Sequence, residues 1–413
     1  MTFRVAYLVD ETLKHPVLQS QSLAVIARLR AAGLEVDLLV ANSEGPVVEA
    51  EIARRFLGAS VRIVFLARRY RGTSTLAKAR RAMARALARR RAGRFLAAAA
   101  SAGQPVVIHA RGSAMHLGAH LRAEIENTRL VADVRGDGAA EARFNHPGPT
   151  GEHRAATVDR MDAAVFARAD HVIGVSAALL GEIRKRFDLR CDATVIPCLA
   201  DERVFFHDAE RRAEARRALG VASSPLVAYA GSIGQWHQFD ATLETFEAIA
   251  RGHREARFLI ATRDSDKAMG AVAARPDLSG RTMVRHGEAA EVSQWLNAAD
   301  IGVLLRETHP LNQVACPTKF AEYVLSGLRV VVSEGIGDLP GWVSDLDLGR
   351  CVPGAHPTLA AAAALELIAR PGSMEDREAR VRRAQPVLSM GARLGDWQGA
   401  YAAALDPRRA KGE

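Results

Sequence analysis

The chain has 413 residues, 48% of them hydrophobic and 5% aromatic, with a formal net charge of +9. This length predicts two or three domains with sizeable cores, and the sequence lacks the apolar run of about 18 residues that a membrane-spanning helix requires. Its four cysteines show neither metal-ligand spacing nor a disulfide framework, and its N-terminus shows no signal-peptide pattern, so we expect a reduced, cytoplasmic protein.

The positive charge is concentrated between Glu51 and Glu124, where 16 Lys and Arg occur and no Asp or Glu. Most of these residues lie within 68–94, which predicts a basic amphipathic helix. Its thin apolar stripe consists of Leu76, Met83 and Leu87. The helix is interpreted either as a solvated helix packed by its alanine face or as a surface for anionic lipid on the inner face of the membrane. Interleaved aromatic residues are lacking, so no nucleic-acid partner is expected.

The first 200 residues alternate buried strands with helices. Strands are predicted at 3–9, 35–40, 60–66, 104–109, 129–134, 170–175 and 193–197. This alternation indicates a parallel sheet, which binds ligands at the carboxyl ends of its strands. The loop after the first strand carries the candidate acceptor-binding residues His15, Gln19 and Gln21. Residues 139–160, with their Pro-Gly-Pro, are predicted as a mobile loop near the acceptor.

Two predicted strands of the first half each run into an arginine followed by glycine, Arg111 and Arg135. Glycine lets a ligand approach the backbone, and arginine offers a planar fork for phosphate or carboxylate. Asp133 and Asp137 flank the second arginine and could act as a base or bind hydroxyl groups. The alternative for each arginine is a salt bridge at the rim of the sheet.

A polar segment at 199–223 predicts a joint, after which a second series of strands follows. These strands are predicted at 226–230, 257–261, 283–286, 301–305 and 330–332. The fold expected is α/β, with two doubly wound Rossmann-like domains facing across a cleft. The domains are predicted at 1–200 and 201–388, with a terminal helix and tail at 389–413.

Residues 316–333, CPTKFAEYVLSGLRVVVS, predict a loop, a helix, a glycine stop and a buried strand. The free N–H groups of the first helical turn, with Thr318 and Lys319, form a site for an anion such as phosphate. Glu322 lies one turn further on and can accept hydrogen bonds from hydroxyl groups. This combination suggests the ribose and diphosphate of a nucleotide. The alternative is a surface lysine and glutamate on an ordinary helix.

Polar residues after the other strands of the second half are candidates for the same pocket. Gly231 and Ser232 form a Gly-Ser-x-Gly turn that suits the approach of a phosphate. His237 could donate a hydrogen bond to it. Arg263 and Glu307 follow two further strands. No metal-ligand motif occurs, so neither a metal nor another cofactor is expected.

The pattern Pro-Thr-Lys, Phe, Glu-Tyr, Gly-Leu, Val-Val in residues 317–331 resembles the donor-site helix of GT-B glycosyltransferase family 4. The resemblance covers most of the chain and extends to the two Arg-Gly segments, which resemble a divergent subset. It implies that Glu322 binds the ribose and that Thr318 and Lys319 lie by the phosphates. It also implies transfer of a sugar from a nucleotide-diphosphate sugar to a glycan, lipid-linked or small-molecule acceptor, and a last helix that crosses back to the first domain.

The sequence departs from the pattern of this family at two places that concern donor binding. Most members of the family carry an arginine and a lysine after the glycine of the first turn, and Ser232 stands near the arginine position. The charge that neutralises the diphosphate is therefore expected from Lys319, Arg263 and Arg306. The first of the two glutamates that many members carry would fall at Val314, so Glu307 or His309 is expected to substitute.

A third departure concerns catalysis. Arg135 stands where the retaining members carry a histidine that contacts the donor sugar, so the stereochemistry is left open. An inverting enzyme needs a base, for which the candidates are Asp10, Asp133 and Asp137. Two other classes also stay open: a non-catalytic nucleotide-sugar-binding subunit, and an epimerase or phosphorylase on the same fold.

Overall fold

A computed structural model of the chain describes residues 3–101 and 103–406. It divides into two compact units, residues 1–196 with 394–413, and residues 197–393. Each unit contains one parallel sheet flanked by helices. The predicted α/β fold with two Rossmann-like domains is therefore confirmed. The predicted tail beyond Asp406 lies outside the described residues.

The first unit is built on a seven-stranded sheet with the order β3-β2-β1-β4-β5-β6-β7. Its strands are β1 Arg4–Val9, β2 Glu35–Val40, β3 Ile63–Phe65, β4 Val106–Arg111, β5 Thr128–Val134, β6 His171–Gly174 and β7 Ala193–Val195. The aliphatic runs of the central strands suit a sheet that is covered on both faces. The register pairs Arg111 with Asp133, which brings the ends of β4 and β5 together.

The helices of this unit are Pro16–Leu18, the π-helix Gln19–Leu23, Ala24–Ala31, Pro46–Leu57, Thr75–Ala100, Ala114–Glu124, Gly138–Asn145, Pro149–Phe166, Ala177–Arg186 and Leu394–Leu405. The last one packs against β5 and β6, so the predicted return of the terminal helix to the first domain is confirmed. The predicted mobile loop at 139–160 is wrong. Apart from residues 146–148 those residues are helical, because Asp137 caps one helix and Pro149 occupies the first turn of the next.

The predicted basic helix is present as Thr75–Ala100, and Ser74 caps it through the N–H of Ala77. Its buried face consists of Ala77, Ala84, Ala88, Ala92 and Leu96. The apolar stripe points the other way, with Leu76 60% and Met83 69% exposed. Among the described residues, no helix has the length and apolarity needed to cross a membrane.

The second unit is built on a six-stranded sheet with the order β10-β9-β8-β11-β12-β13. Its strands are β8 Leu226–Ala230, β9 Arg257–Ala261, β10 Thr282–Arg285, β11 Ile301–Leu304, β12 Arg329–Ser333 and β13 Gly349–Val352. The last of these was not predicted. Its helices are Ala209–Ala218, Phe239–Gly252, Ser265–Ala273, Ala289–Ala298, Pro310–Gln313, Thr318–Leu325, Leu339–Asp345, Pro357–Ala369 and Met374–Leu388, with 3-10 turns at Gln235–His237 and Pro276–Leu278.

Candidate functional site

The helix Thr318–Leu325 is fixed against the carboxyl ends of two central strands. Its buried face includes Phe320 and Tyr323. The hydroxyl of Tyr323 accepts a hydrogen bond of 2.7 Å from the N–H of Ala230, the last residue of β8. The same ring lies over Gly302 of β11, where a Cβ atom would come within 2.3 Å of it. These contacts hold the first turn of the helix at the ligand-binding edge of the sheet.

Lys319 projects from this first turn onto the end of β8. Its ammonium nitrogen lies 4.4 Å from the centre of the Tyr229 ring, a cation–π contact. Gly231 lies directly above the ammonium group, and its φ is +135°. A Cβ atom at residue 231 would lie 2.7 Å from Lys319 Nζ. Glycine is therefore needed here both for its backbone conformation and for the space that the ammonium group occupies.

Arg306 follows β11 and adds a second cation, which is buried with only 8% of its surface exposed. Its Nη1 donates to the carbonyl of Trp236 at 3.0 Å. Burial, together with the charge of Arg306, lowers the pKa of Lys319 to about 7, while Glu322 acts in the opposite direction. Neither cation forms an ion pair with a carboxylate among the described residues. The two cations thus share a site in which no described carboxylate pairs directly with either of them.

Glu322 lies one turn beyond Lys319 on the same helix. Burial raises the pKa of its carboxyl group to about 7, and the charge of Lys319 partly offsets that effect. Within the part of the chain that the structure describes, no hydrogen bond or ion pair joins this carboxyl group to another residue. Its oxygens are therefore available to accept hydrogen bonds from a ligand.

A loop with three hydrogen-bonding side chains follows Gly231. The indole N–H of Trp236 donates to Nε2 of His237 at 3.1 Å, and Ser232 Oγ lies 3.0 Å from the same nitrogen. Burial and the charges of Lys319 and Arg306 hold the pKa of His237 well below its usual range, so the ring is neutral. Because Nε2 accepts, the proton lies on Nδ1. That nitrogen is buried without a partner among the described residues.

The structure places the remaining predicted donor residues less centrally. Arg263 is exposed and its Nη2 lies 3.6 Å from the carboxylate of Glu288. Glu307 is exposed, and its backbone carbonyl accepts from Asn312 at 2.9 Å. Thr318 is half-buried in the first turn of the helix. The residues that lie together at the carboxyl edge of this sheet are Gly231, Ser232, His237, Arg306, Lys319 and Glu322.

In the first unit, Asp133 is the centre of a buried charged cluster. One carboxylate oxygen accepts from Arg135 Nη1 at 3.1 Å, and the other lies 3.3 Å from His109 Nε2 and 3.9 Å from Arg111 Nη1. Burial opposes ionisation, but the neighbouring arginines and His109 outweigh it and hold the pKa of Asp133 well below its usual range. Asp133 is therefore a paired carboxylate and a weak proton acceptor at neutral pH.

His109 links this cluster to the terminal helix. The ring is fully buried, and its Nδ1 lies 2.9 Å from the hydroxyl of Tyr401. Tyr7 stacks on it with 4.2 Å between the ring centres. Burial lowers the pKa of His109, so the imidazole is neutral. The helix Leu394–Leu405 is thereby held to the sheet by a polar contact as well as by packing.

Asp137, the third predicted catalytic residue, has both carboxylate oxygens engaged. Oδ1 accepts from the N–H groups of Ala139 and Ala140 at 3.0 Å, and Oδ2 accepts from Arg186 Nη1 at 2.6 Å. It thus caps the helix Gly138–Asn145 and neutralises an arginine. These contacts give Asp137 a structural task that does not depend on a ligand.

The loop after β1 meets the Asp133 cluster through Arg111. Its Nε donates at 2.9 Å to the hydroxyl of Ser22, which lies in the π-helix Gln19–Leu23. Gln21 is buried in the same turn, whereas the amide of Gln19 donates to the carbonyl of Leu13 at 3.0 Å. π-helical turns often occur at functional sites.

Two other predicted residues lie near this loop without joining the cluster. His15 is exposed at the start of the helix Pro16–Leu18. Asp10 accepts from Ser113 Oγ at 3.0 Å, and burial raises its pKa. In the described part of the chain, no group of three His, Cys, Asp or Glu residues could hold a metal ion.

Sequence reasoning did not single out Tyr229, the ring beneath Lys319. The available signal is its position as the lone aromatic residue in the aliphatic strand LVAYA, directly before the Gly-Ser turn. An aromatic face at the carboxyl end of a parallel strand, next to a lysine-bearing helix, is a suitable base for a cation.

Two Rossmann-like domains, the second with a buried arginine and a half-buried lysine and glutamate at the carboxyl edge of its sheet, are the arrangement expected of the GT-B class of glycosyltransferases. Two family models match the chain, Glycosyltransferase Family 4 over residues 20–203 and Glycosyl transferases group 1 over residues 224–370. The chain belongs to this family of glycosyltransferases, and the predicted activity, transfer of a sugar from a nucleotide sugar, is confirmed.

Solved structures with the same fold span nearly the whole chain. Sucrose-phosphate synthase of Thermosynechococcus elongatus is 16% identical, with a TM-score of 0.70 over 97% of this chain and 100% of that one. HepE of Anabaena, solved with UDP and glucose, is 14% identical, with a TM-score of 0.69 over 98% and 100%. A glycosyltransferase of Rickettsia africae is 12% identical, with a TM-score of 0.72 over 98% and 99%. The comparison with curated proteins gives no match.

Proposed function

We propose that Lys319 and Arg306 bind the diphosphate of the donor and that Glu322 binds its ribose. The observation that carries this proposal is the position of Lys319, whose ammonium group lies on Tyr229 and directly beneath Gly231. The two cations without an anionic partner would replace the arginine and lysine that most members of the family carry after that glycine. The N–H groups of the first turn of the helix add further donors.

His237 is proposed as a neutral donor to the same diphosphate. Its Nδ1 carries the ring proton because Nε2 accepts from Trp236. A neutral donor suits this site, since a third full charge beside Lys319 and Arg306 would cost further free energy. Departure of the nucleoside diphosphate is then stabilised by fixed charges and dipoles, and needs no metal ion in this proposal.

For the first domain, we propose that Asp133 acts as a positioning residue for Arg111 and Arg135. Their paired guanidinium groups suit a sugar or acceptor that carries hydroxyl, phosphate or carboxylate groups. Gln21, in the turn that Arg111 contacts through Ser22, is proposed to contact the acceptor. Asp137 serves this site indirectly, as the cap of the helix that follows β5.

For the acceptor, we propose a glycan or lipid-linked molecule at the inner face of the membrane, reached through the basic helix Thr75–Ala100. The buried alanine face leaves the arginines and the exposed Leu76 and Met83 outside. Anionic lipid attracts such a helix by charge, and the apolar stripe inserts at the interface. Sedimentation with anionic vesicles tests this: binding at low salt supports it, and its absence would remove the membrane from the proposal.

The donor site is tested by incubating the purified chain with a panel of nucleotide sugars and measuring release of nucleoside diphosphate. UDP-glucose is the first choice, because HepE has been solved with it. We expect slow hydrolysis with one donor, its loss in Glu322→Ala, and its retention in Glu244→Ala, an exposed position on another helix. Stabilisation by a nucleotide without any turnover would instead indicate a binding subunit.

A further inference from the structure

A cavity of about 240 Å³ lies in the unit of residues 197–393. It is lined by Arg329 and Arg350, at the amino ends of β12 and β13, and by parts of the helices Pro357–Ala369 and Met374–Leu388. The donor-site residues follow the carboxyl ends of β8 and β11. The cavity therefore lies at the opposite edge of the same sheet and is separate from the donor site.

The lining of this cavity is rich in guanidinium groups. Its five arginines are Arg329, Arg350, Arg370, Arg380 and Arg383. Three carboxylates share the lining, which leaves an excess of positive charge. Whether this excess positive charge can bind a ligand depends on which arginines already pair with these carboxylates.

Two of the three carboxylates already interact with neighbouring residues. Glu366 Oε1 lies 2.7 Å from Arg350 and 3.8 Å from Arg370. Asp376 accepts from the N–H of Ser373 at 2.7 Å in the capping box of its helix. The third, Asp347, is an exposed side chain at 84% and lies 3.6 Å from Arg383. The remaining two arginines of the lining form no ion pair with a carboxylate in the part of the chain that the structure describes.

Within residues 3–101 and 103–406, the hydrogen bonds of these two arginines, Arg329 and Arg380, go to backbone carbonyls. Arg329 donates to the carbonyls of Arg370 and Leu367. Arg380 donates to the carbonyl of Gly327 at 3.3 Å. Only 7% of Arg380 is exposed, and its Nε is buried without a hydrogen-bond partner among the described residues. A buried guanidinium group with an unused donor and without a directly paired carboxylate is costly.

The two guanidinium groups also act on each other. Burial and then the charge of Arg329 lower the pKa of Arg380 to about 10, while Asp347 and Asp376 act in the opposite direction. An anion would relieve both effects at once, by supplying the missing acceptor for Nε and the missing negative charge. Arginine forks match the oxygens of a phosphate group in particular.

We propose that this cavity binds a phosphate group, either as inorganic phosphate or as the phosphate of a small phosphorylated metabolite. The volume admits a phosphate with a small substituent. The ligand would lie between the amino ends of β12 and β13 and the helix that carries Arg380. This site is separate from the donor site, so the proposal does not depend on the roles assigned to Lys319 and Glu322.

The test is the thermal midpoint of the full chain in a phosphate-free buffer, with added inorganic phosphate, glucose 6-phosphate or glucose. Potassium chloride at matched ionic strength controls for screening. We expect both phosphates to raise the midpoint and glucose to leave it unchanged. A larger shift and tighter binding with glucose 6-phosphate would identify a phosphorylated metabolite as the ligand; equal affinity would identify phosphate itself.

Substitutions of single arginines test whether the phosphate binds in this cavity. Arg380→Gln is expected to weaken phosphate binding about tenfold or more, the scale of one charge-assisted hydrogen bond. Arg383→Gln tests the same cavity with a half-exposed side chain, so we expect a smaller effect on folding. Arg382→Gln, on the same helix but outside the cavity, is the matched control and should bind as the wild type does.

Lys319→Gln separates this site from the donor site. The proposal requires that phosphate still stabilise this variant. It is overturned if wild-type protein shows no shift, or if the shift persists in Arg380→Gln and Arg383→Gln but disappears in Lys319→Gln, since phosphate would then be bound at the donor site.

Discussion

The ammonium nitrogen of Lys319 lies 4.4 Å from the centre of the Tyr229 ring. This contact holds a flexible side chain in one place before any ligand arrives. The ring supplies only a weak attraction for the cation, worth about 0.5–2 kcal/mol. It does not offset burial beside Arg306, which is why the pKa of Lys319 falls to about 7. A lysine held in place and short of negative charge is prepared for a diphosphate.

The first prediction concerns the pH dependence of nucleotide binding. Lys319 loses its proton above about pH 7 in the free protein, whereas a bound diphosphate favours the protonated form. Binding therefore takes up a proton, and the affinity for the nucleoside diphosphate should fall about tenfold between pH 7.5 and 9. Titration calorimetry at several pH values measures this.

The titration of two neighbouring groups does not account for this fall in affinity between pH 7.5 and 9. Glu322, with a pKa of about 7, is largely ionised above pH 8, and the pKa of Arg306, about 10, lies above the range. Lys319→Arg keeps its charge throughout and should give a nearly flat profile, whatever its absolute affinity. A wild-type profile without slope would contradict the assignment of Lys319.

The second prediction concerns Gly231→Ala. The added Cβ would lie 2.7 Å from Lys319 Nζ, and the φ of +135° is strained for alanine. We expect nucleotide binding at least tenfold weaker, because the ammonium group must move. Gly270→Ala is the control, since it lies within a helix with no atom within 4 Å of the new Cβ. Unchanged binding in Gly231→Ala would show that Lys319 is not held where the diphosphate binds.

The third prediction distinguishes a positioning role of Asp133 from a role as base. Asp133→Asn leaves Arg135 and Arg111 without their buried counter-ion, so we expect a loss of about 3 kcal/mol in the free energy of unfolding. Asp137→Ala removes a helix cap and should cost about 1 kcal/mol. Denaturant unfolding measures both. Full stability with complete loss of turnover in Asp133→Asn would indicate a proton acceptor instead.

The fourth prediction concerns metal removal. If Lys319 and Arg306 supply the positive charge for the departing diphosphate, as proposed, turnover should persist after dialysis against EDTA. The measurement is the initial rate before and after dialysis, with and without added Mg²⁺ or Mn²⁺. A rate restored only by a divalent ion would mean that these two cations do not suffice.

Much of the fold could be predicted because its signals are local. The aliphatic strands and the segment 316–333 were identified from period and turn residues alone. Strand β13, GRCV, was missed because its composition is mixed, and it forms by pairing with β12. The helices within 139–160 were missed because Pro-Gly-Pro also signals a loop, although Pro149 here begins a helix.

The identities of several site residues could be predicted from the sequence, but their arrangement in space could not. Lys319, Glu322 and the Gly-Ser turn were found from spacing. The contact of Lys319 with Tyr229, 90 positions away in the sequence, depends on tertiary packing and has no local signal. Arg263 and Arg306 looked equivalent after their strands, yet the first is exposed and the second is buried.

The most direct test compares two ligands, the nucleoside diphosphate of the donor that supports turnover and the corresponding nucleoside. Lys319→Gln should weaken binding of the diphosphate about tenfold to a hundredfold, the range of a charge-assisted hydrogen bond, and leave the nucleoside unaffected. Titration calorimetry on the wild type and this variant gives the ratio. Equal losses for both ligands, or none for either, would contradict the assignment of the diphosphate to Lys319.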